Sequence, residues 1–218
     1  MVKLYPDKSP AIMLKKLTVI LLIFAQTSLA SQLSDGALKL IQIGNEIASR
    51  DVILRGQSLL LKGAFDLGDL DAMYEASKQV RAGNKVMGYA PQQRQANEVL
   101  IKLVQRSYDS ALYDYALYLL DGSNGIIKNE FLALEIFEES FNAHGNPHSG
   151  FAAAVIRNES LVPGTKDANK INEMMAYAIL NKVDGAQAYQ DRYIRRGHLY
   201  DLEVDSYADY FTNPTSAD

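Results

Sequence analysis

The sequence predicts an all-α fold, an α/α solenoid in which helix–loop–helix units stack on one another between terminal capping helices. Two sets of small or apolar residues, each marking one helix of the unit, recur with nearly the same spacing. The first set, with steps of 39, 39 and 36 residues, comprises Ala72, Ala111, Gly150 and Ala186. The second set, with steps of 37 and 38 residues, comprises Ala96, Ala133 and Ile171. Two independent sets with one period indicate internal duplication, and this period is typical of helical repeats.

The stretch 110–150 shows the predicted unit most clearly. Two apolar patterns of helical period are separated by a short loop that contains Gly122 and Gly125. Gly122 is expected to end the first helix, because glycine adopts the left-handed conformation that helix ends often need. Asn129, four residues before Ala133, is expected to cap the second helix. We therefore predict a positive φ angle at Gly122 or Gly125.

The neighbouring units follow the same plan with less regularity. Asp167 lies four residues before Ile171 and is expected to cap its helix as Asn129 does. In the first unit, which precedes the stretch 110–150, Gly88 and Pro91 break the helical pattern. The cap position there holds Gln92, and glutamine is a poor capping residue.

The segments that flank the predicted array are also helical by pattern. Ser34 and Asp35 are expected to cap the first helix, and Arg55 and Gly56 are expected to mark a break between the first helix and the second. The last helix is expected to end at Gly197, and the tyrosine-rich tail after it is interpreted as a capping helix over the open end of the stack. The predicted organisation is a signal peptide at 1–30 with an upstream extension at 1–12, N-terminal helices at 31–66, the repeat array at 67–196, and a capping segment with a disordered tail at 197–218.

The N-terminal residues have the pattern of a secretory signal peptide. Lys15 and Lys16 precede a nine-residue apolar run, Leu17–Ala25, and the segment ends in small residues at Ser28 and Ala30 with Leu29 between them. The run is too short for a membrane-spanning helix, which needs about 20 residues to cross a hydrocarbon core of ~30 Å. We expect cleavage after Ala30, a periplasmic or secreted mature protein, and no stable membrane insertion after cleavage.

Composition excludes several classes of function. The chain has 218 residues, a formal net charge of −4 and no cysteine. Nucleic acid is not expected as a partner, because phosphate binding requires clustered Lys and Arg. The lack of cysteine excludes disulfides, thiolate metal sites and a thiol nucleophile, and it suits a bacterial periplasm.

The second predicted unit resembles a Sel1-like repeat, a relative of the tetratricopeptide repeat. The residues that carry the resemblance are Ala111, Tyr113, Tyr115, Ala116, Leu119, Gly122, Gly125, Ile126, Asn129 and Ala133. The sequence departs from the family pattern at Tyr115, Ala116, Leu119 and Asn129 and by one extra residue between the two glycines. The resemblance covers about residues 64–193. It implies a non-enzymatic role as a signalling regulator, an assembly factor, a host-interaction protein or an immunity protein.

No catalytic or metal-binding constellation stands out. His144 and His148 have a spacing that suits a metal on a helix, but the Gly145–Pro147 stretch between them is expected to form a turn. Paired carboxylates such as Glu138 and Glu139 are expected to lie on a solvated helix face. There is no nucleophile-elbow motif and no phosphate-binding loop. We expect no cofactor, no metal and no enzymatic activity.

The resemblance implies that the first helices of the units line a concave face, where a partner would bind. The residues predicted to line this groove are Leu112, Asp114, Tyr118, Phe151 and Arg157. They combine apolar, aromatic and charged groups, which is the composition expected of a surface that binds protein or peptide.

The predicted function is that of a monomeric scaffold or adaptor of the bacterial envelope that binds a protein or peptide. Three alternatives remain open from the sequence: an immunity protein that neutralises a toxin, a small periplasmic hydrolase, and an adaptor anchored in the inner membrane by an uncleaved signal segment.

Overall fold

A computed structural model of the chain describes residues 33–194 and 204–212, and this part of the chain is all-α. The helices are α1 (33–46), α2 (Arg50–Leu61), α3 (Leu70–Ala82), α4 (Gln93–Val104), α5 (Asp109–Asp121), α6 (Glu130–His144), α7 (Pro147–Asn158), α8 (Ala168–Leu180), α9 (Ala186–Tyr189) and α10 (Tyr207–Thr212). Two of them continue as π-helical turns, α2 into Lys62–Asp66 and α9 into Gln190–Ile194. The predicted signal peptide and the predicted helix end at Gly197 lie outside the described residues.

The chain divides into two compact units between Gln92 and Gln93. In the N-terminal unit α2 packs against α3, and the π-helical turn after α2 contacts both. The third helix, which the sequence assigned to the repeat array, belongs to this unit. In the C-terminal unit each helix from α4 to α8 packs against the next one along the chain, and α8 also contacts α9.

Two buried glycines allow a close approach of α1 and α2. A β-carbon at Gly56 would lie 2.7 Å from the carbonyl oxygen of Ala37, and one at Gly44 would lie 2.8 Å from the backbone nitrogen of Ile53. The prediction that Gly56 breaks the helix was therefore wrong, because it lies inside α2 and its role is in packing. The turn between the helices lies before α2, where Ala48 has a φ of 52°.

The prediction that Ser34 caps the first helix was also wrong. Ser34 lies inside α1, and its hydroxyl donates a 2.9 Å hydrogen bond to the carboxylate of Asp69. The other carboxylate oxygen of Asp69 accepts the backbone N–H of Asp71 at 2.9 Å and so caps α3. The serine thus connects α1 to the start of α3.

The loop predictions of the C-terminal unit are confirmed. Gly122 ends α5 in the left-handed region with a φ of 69°, and Gly125 has a φ of 74°. The side chain of Asn129 accepts the backbone N–H of Leu132 at 3.0 Å. Asp167 caps α8 by accepting the N–H groups of two residues in its first turn.

All seven residues that mark the sequence period are buried, and they alternate between the helices. The first set lies in α3, α5, α7 and α9, and the second set lies in α4, α6 and α8. At each of these positions a small or apolar side chain therefore contributes to helix packing.

The core of the C-terminal unit lies between α5, α6, α7 and α8, with aromatic side chains of the tail added to it. Its largest fully buried members are Leu112, Leu120, Phe137, Phe151, Ile156, Met175 and Tyr189. The tail helix α10 packs mainly against α5 and α7. The tail helix therefore covers the side of α5 and α7, which corrects the prediction that it covers the open end of the stack.

Candidate functional site

The structure buries part of the groove predicted from the sequence. Leu112 on α5 and Phe151 on α7 are 0% and 1% exposed. Asp114 and Tyr118 are partly exposed on α5. The prediction that Leu112 and Phe151 line an open groove therefore needs correction, because a partner cannot reach either side chain in this structure.

The helix α10 occupies the α5–α7 side of the unit, where that groove was predicted. The ring of Phe211 lies edge-on to Phe151 with centroids 5.8 Å apart, and to Phe137 of α6 with centroids 6.3 Å apart. Tyr210 also contacts Phe151, at a centroid distance of 6.1 Å. We call this surface, formed by Asp121, Phe137 and Phe151 and filled by α10, the α5–α7 groove.

A carboxylate at the end of α5 holds the start of α10. Asp121 accepts the backbone N–H of Ala208 at 3.1 Å and also accepts the hydroxyl of Ser206. The Ser206 oxygen in turn accepts the N–H of Asp209 at 3.0 Å. A negative charge at a helix N-terminus is favourable, because the first N–H groups of a helix have no partner within it.

Arg157, the fifth predicted groove residue, is held within the unit. Its guanidinium forms an ion pair with Glu138 of α6 and donates to the carbonyl of Thr165 in the loop after α7. The side chains of Arg157 and Glu138 are 9% and 21% exposed. Arg157 therefore joins α6, α7 and the following loop, which also corrects its assignment to an open groove.

Two tyrosines of this unit, the partly buried Tyr113 and the buried Tyr189, pack against the core. Burial raises the pKa of Tyr113 to about 12, with a smaller contribution from the charge of Asp114. The hydroxyl of Tyr189 donates to Glu159 and accepts the side-chain amide of Asn158 at 2.8 Å, and burial is the main reason that its pKa is raised. These phenols stay protonated at neutral pH and serve as packing groups and hydrogen-bond donors.

The N-terminal unit contains an open cavity of ≈240 Å³ between α2, α3 and the loop that follows α3. Its walls come from three segments of the chain. The lining residues are Gln57, Leu60, Leu61, Ala76, Gln79, Val80, Gly83, Asn84, Tyr89, Ala90 and Gln92. None of these side chains carries a charge at neutral pH, so the cavity suits an apolar group, with amides near it that can donate or accept hydrogen bonds. We call it the N-terminal cavity.

The loop that forms one wall of this cavity is held by backbone hydrogen bonds. Asn84 and Tyr89 exchange two bonds of 2.9 Å, and the N–H of Gln92 donates to the carbonyl of Val80 at 3.0 Å. Gly83 has a φ of 69°, and a β-carbon there would lie 2.7 Å from the nitrogen of Pro91. Backbone hydrogen bonds therefore fix the conformation of this loop, and its two ends approach closely where Gly83 meets Pro91.

Side-chain contacts tie the same loop to α1 and α2. The amide of Asn84 donates to the side chain of Asn45 at 2.9 Å, and the guanidinium of Arg50 donates to the carbonyl of Val86 at 3.1 Å. Sequence reasoning missed this site. The available signal was the break at Gly88 and Pro91, which indicated a long irregular loop but not what lies beneath it.

The two histidines considered as metal ligands do not form a site. His144 ends α6 and His148 lies in the first turn of α7, with the left-handed Gly145 between the two helices, as the predicted turn requires. Among residues 33–194 and 204–212, no group of three or more His, Asp or Glu side chains could hold a metal ion. Over the same residues, none of the helices has both the length and the apolar character needed to cross a bilayer.

Comparison of the chain with protein-family models, with curated proteins and with solved structures found no match in any of the three.

Proposed function

We propose that the protein is a non-enzymatic adaptor that binds another protein, and that the N-terminal cavity receives an apolar side chain of this partner. The observation that carries the proposal is an open, uncharged cavity beside half-exposed apolar side chains. Leu61 and Tyr89 both line the cavity and are 47% and 49% exposed. An exposed apolar pocket with polar groups nearby is typical of the anchor sites of protein interfaces.

The size of the cavity favours a side chain over a free small molecule. Its ≈240 Å³ lies below the roughly 300–1,000 Å³ of most small-molecule sites. An aromatic or branched aliphatic side chain needs less room, and the rest of its protein contributes contact area outside the pocket. Phe65 and Leu67, which follow α2, are 64% and 47% exposed and add apolar surface in this unit.

The adaptor proposal is also supported by the order of the helices. The two residue sets with one period fall on alternating helices and are buried at every position. This agrees with an α/α solenoid of Sel1-like units, a fold whose repeated surfaces commonly serve binding. We include the solenoid and the Sel1-like relationship in the proposal on this ground.

The proposed place of action is the bacterial envelope. Its support is the signal-peptide pattern before Ser31 and the absence of cysteine from the chain. N-terminal sequencing of the exported protein tests this part. A mature chain that begins at Ser31 supports it, and a chain that keeps its first 30 residues in the membrane supports an anchored adaptor instead.

The test of the binding site is a capture experiment with residues 31–218 as bait in envelope extract of the source organism, followed by mass spectrometry. We expect the substitution Leu61→Lys to reduce the captured partner at least tenfold, because it places a charge at the mouth of an apolar pocket. Leu61 is about half exposed, so the lysine can reach water and folding should be preserved.

The matched control is Leu180→Lys, the same substitution at a leucine of α8 that is 78% exposed. It should capture the partner as the unmodified chain does. Equal capture by all three baits would remove the N-terminal cavity from the proposal. If none of the baits captures a protein, and the partner is also absent from culture medium and host extracts, the adaptor function itself fails.

A further inference from the structure

We propose that the N-terminal cavity binds an extended segment of the partner protein, in which an uncharged apolar residue lies between two peptide groups that hydrogen-bond to glutamine side chains of the cavity wall. This inference rests on the proposed function, because it assigns the conformation and the chemistry of the partner at the same site. The observations behind it are the positions of three glutamines and the hydrogen bonds around them.

Each wall of the cavity contributes one glutamine. Gln57 belongs to α2, Gln79 belongs to α3, and Gln92 belongs to the loop that follows α3. Gln57 and Gln79 are half-buried, and Gln92 is exposed. Primary amides from three segments of the chain therefore line one apolar space.

These three side chains keep their hydrogen-bonding capacity. Within the part of the chain that the structure describes, no hydrogen bond joins the side-chain amide of Gln57, Gln79 or Gln92 to another residue. Asn84, which lines the same cavity, differs from them because its side-chain oxygen accepts the backbone N–H of Met87 at 3.0 Å. The asparagine holds the loop, whereas the glutamine amides can bond to water or to a ligand.

A primary amide and a peptide group complement each other. The glutamine side chain has an oxygen acceptor and N–H donors, and a peptide group offers one N–H and one carbonyl oxygen. Each hydrogen bond of this kind contributes roughly two- to tenfold to affinity once the lost bonds to water are counted. Neutral amides do not favour a charged group, so they suit the backbone on either side of a bound residue.

The peptide groups of the bound segment must be available for these bonds. Inside a helix they pair with one another, and only the first four N–H groups and the last four carbonyl groups are left over. An extended segment presents free peptide groups along its whole length, as in the recognition of added strands. Glutamines on three walls of the cavity therefore favour an extended segment over a helix.

The residue between the two peptide groups is apolar. Leu60, Ala76 and Val80 contribute apolar lining, and none of the lining residues carries a charge at neutral pH. A lysine or glutamate side chain would lose water here without gaining a charged partner. A lipid acyl chain would suit the apolar walls, but it has no group that bonds to an amide. The glutamines thus distinguish a peptide from a lipid.

The experiment titrates residues 31–218 with three small probes and follows the backbone amide resonances by NMR. N-acetyl-phenylalanine N-methylamide has an aromatic side chain between two peptide groups, the second probe is the same compound with both N–H groups methylated, and toluene is the side chain alone. We expect the first probe to shift the resonances of Gly83 and Tyr89. Its affinity should be at least fivefold higher than that of the methylated probe, which lacks the N–H donors.

Gln79→Met tests the contribution of the amide, because methionine keeps the length of the side chain and removes its hydrogen-bonding groups. The affinity for the first probe should fall at least threefold, while the affinity for toluene should not fall. Glutamine and methionine have similar helix propensities, so α3 should be preserved. If this variant does not fold, Gln57→Met on α2 takes its place with the same expectation. The matched control is Gln105→Met at an exposed position after α4, which should bind the probes as the unmodified chain does.

Equal affinity for the two phenylalanine probes would overturn this inference, as would equal binding of the first probe by the glutamine variant and the unmodified chain. Either result, with toluene still shifting the resonances of Gly83 and Tyr89, would leave the apolar anchor of the proposed function in place. If none of the probes shifts these resonances up to its solubility limit, the inference fails, and the cavity is also removed from the proposed function.

Discussion

Arg157 on α7 forms an ion pair with Glu138 on α6, and the same guanidinium donates to the carbonyl of Thr165. The sequence placed Arg157 on a binding surface, because the resemblance to Sel1-like repeats implies that the first helices of the units line a concave face. The structure shows instead that it joins two neighbouring helices and a loop. A charged residue in such a setting stabilises the unit only while its partner is present.

Replacing Arg157 with methionine should destabilise the C-terminal unit by about 1–3 kcal/mol, since Glu138 would lose its partner while largely shielded from water. The expected loss is below that of a fully buried pair because the Glu138 side chain is 21% exposed. Chemical denaturation at neutral pH measures it. The comparison is Arg94→Met, which breaks an exposed pair with Glu98 and should cost less than ~1 kcal/mol. Equal effects of the two substitutions would contradict a structural role for Arg157.

Substituting Gly56 by alanine should destabilise the chain by about 2 kcal/mol or more. The new β-carbon would approach the backbone of α1, which cannot yield as a flexible side chain would. The control is Gly36→Ala in α1, where nothing lies within 4 Å of the added carbon. That substitution should stabilise by roughly 0.5–1 kcal/mol, the helix propensity gain of alanine over glycine. Stabilisation by both substitutions would show that α1 and α2 do not cross closely at Gly56.

Gly122→Val should destabilise by more than ~1 kcal/mol, because a branched side chain strongly disfavours a φ of 69°. A β-carbon at this position would also lie 3.0 Å from that of Lys128. Gly164→Val separates these two causes, since Gly164 has a φ of 78° but open space around it. Thermal melts of both variants should show the larger loss at Gly122. A neutral effect at Gly122 would be inconsistent with a left-handed end of α5.

The stability of the C-terminal unit should fall as the pH rises above about 10. Burial raises the pKa of Tyr113 and of Tyr210 to about 12, whereas an unfolded tyrosine titrates near 10. The neutral phenol is thus favoured by folding, so its contribution is complete below pH 10 and is lost between pH 10 and 12. Each tyrosine accounts for at most about 1.4 kcal/mol per pH unit.

Urea denaturation at pH 8, 10 and 11 measures this loss, with phenolate absorbance recorded in parallel. Tyr210→Phe should reduce the decline between pH 10 and 11, because one of the buried phenols is gone. Below pH 9 the curves of the variant and of the unmodified chain should remain parallel. An undiminished alkaline decline in the variant would mean that Tyr210 is ionised as readily in the folded chain as in the unfolded one.

The local features of the chain could be predicted from sequence because they depend on neighbours within a few residues. Gly122 adopts its positive φ, and Asn129 and Asp167 cap their helices, since these preferences belong to the residue and its nearest peptide groups. The burial of the residues that recur with the sequence period could also be predicted. A period shared by two sets of residues indicates which face of each helix packs against its neighbours.

The exposure of the residues predicted to line the groove could not be predicted from sequence, because it depends on which distant segments of the chain pack against them. Phe151 and Leu112 were predicted to lie on a surface stripe, but both are buried. Phe151 is covered by Phe211 of the tail helix, which lies about 60 residues further along the chain. Gly56 was predicted to break a helix, but a glycine within a helix can have either of two structural roles. It can loosen a helix or admit a neighbouring backbone, and only the position of α1 distinguishes them.

By itself the sequence determined the all-α class, the order of the C-terminal helices and the ends of several of them, because helix period and capping are local chemistry. Only the tertiary structure decided which apolar faces remain open. It filled the α5–α7 groove with the chain's own tail, and it left a cavity in the N-terminal unit between α2, α3 and the loop that Asn84 anchors. These outcomes depend on contacts between segments far apart in the chain, which the pattern of one segment does not encode.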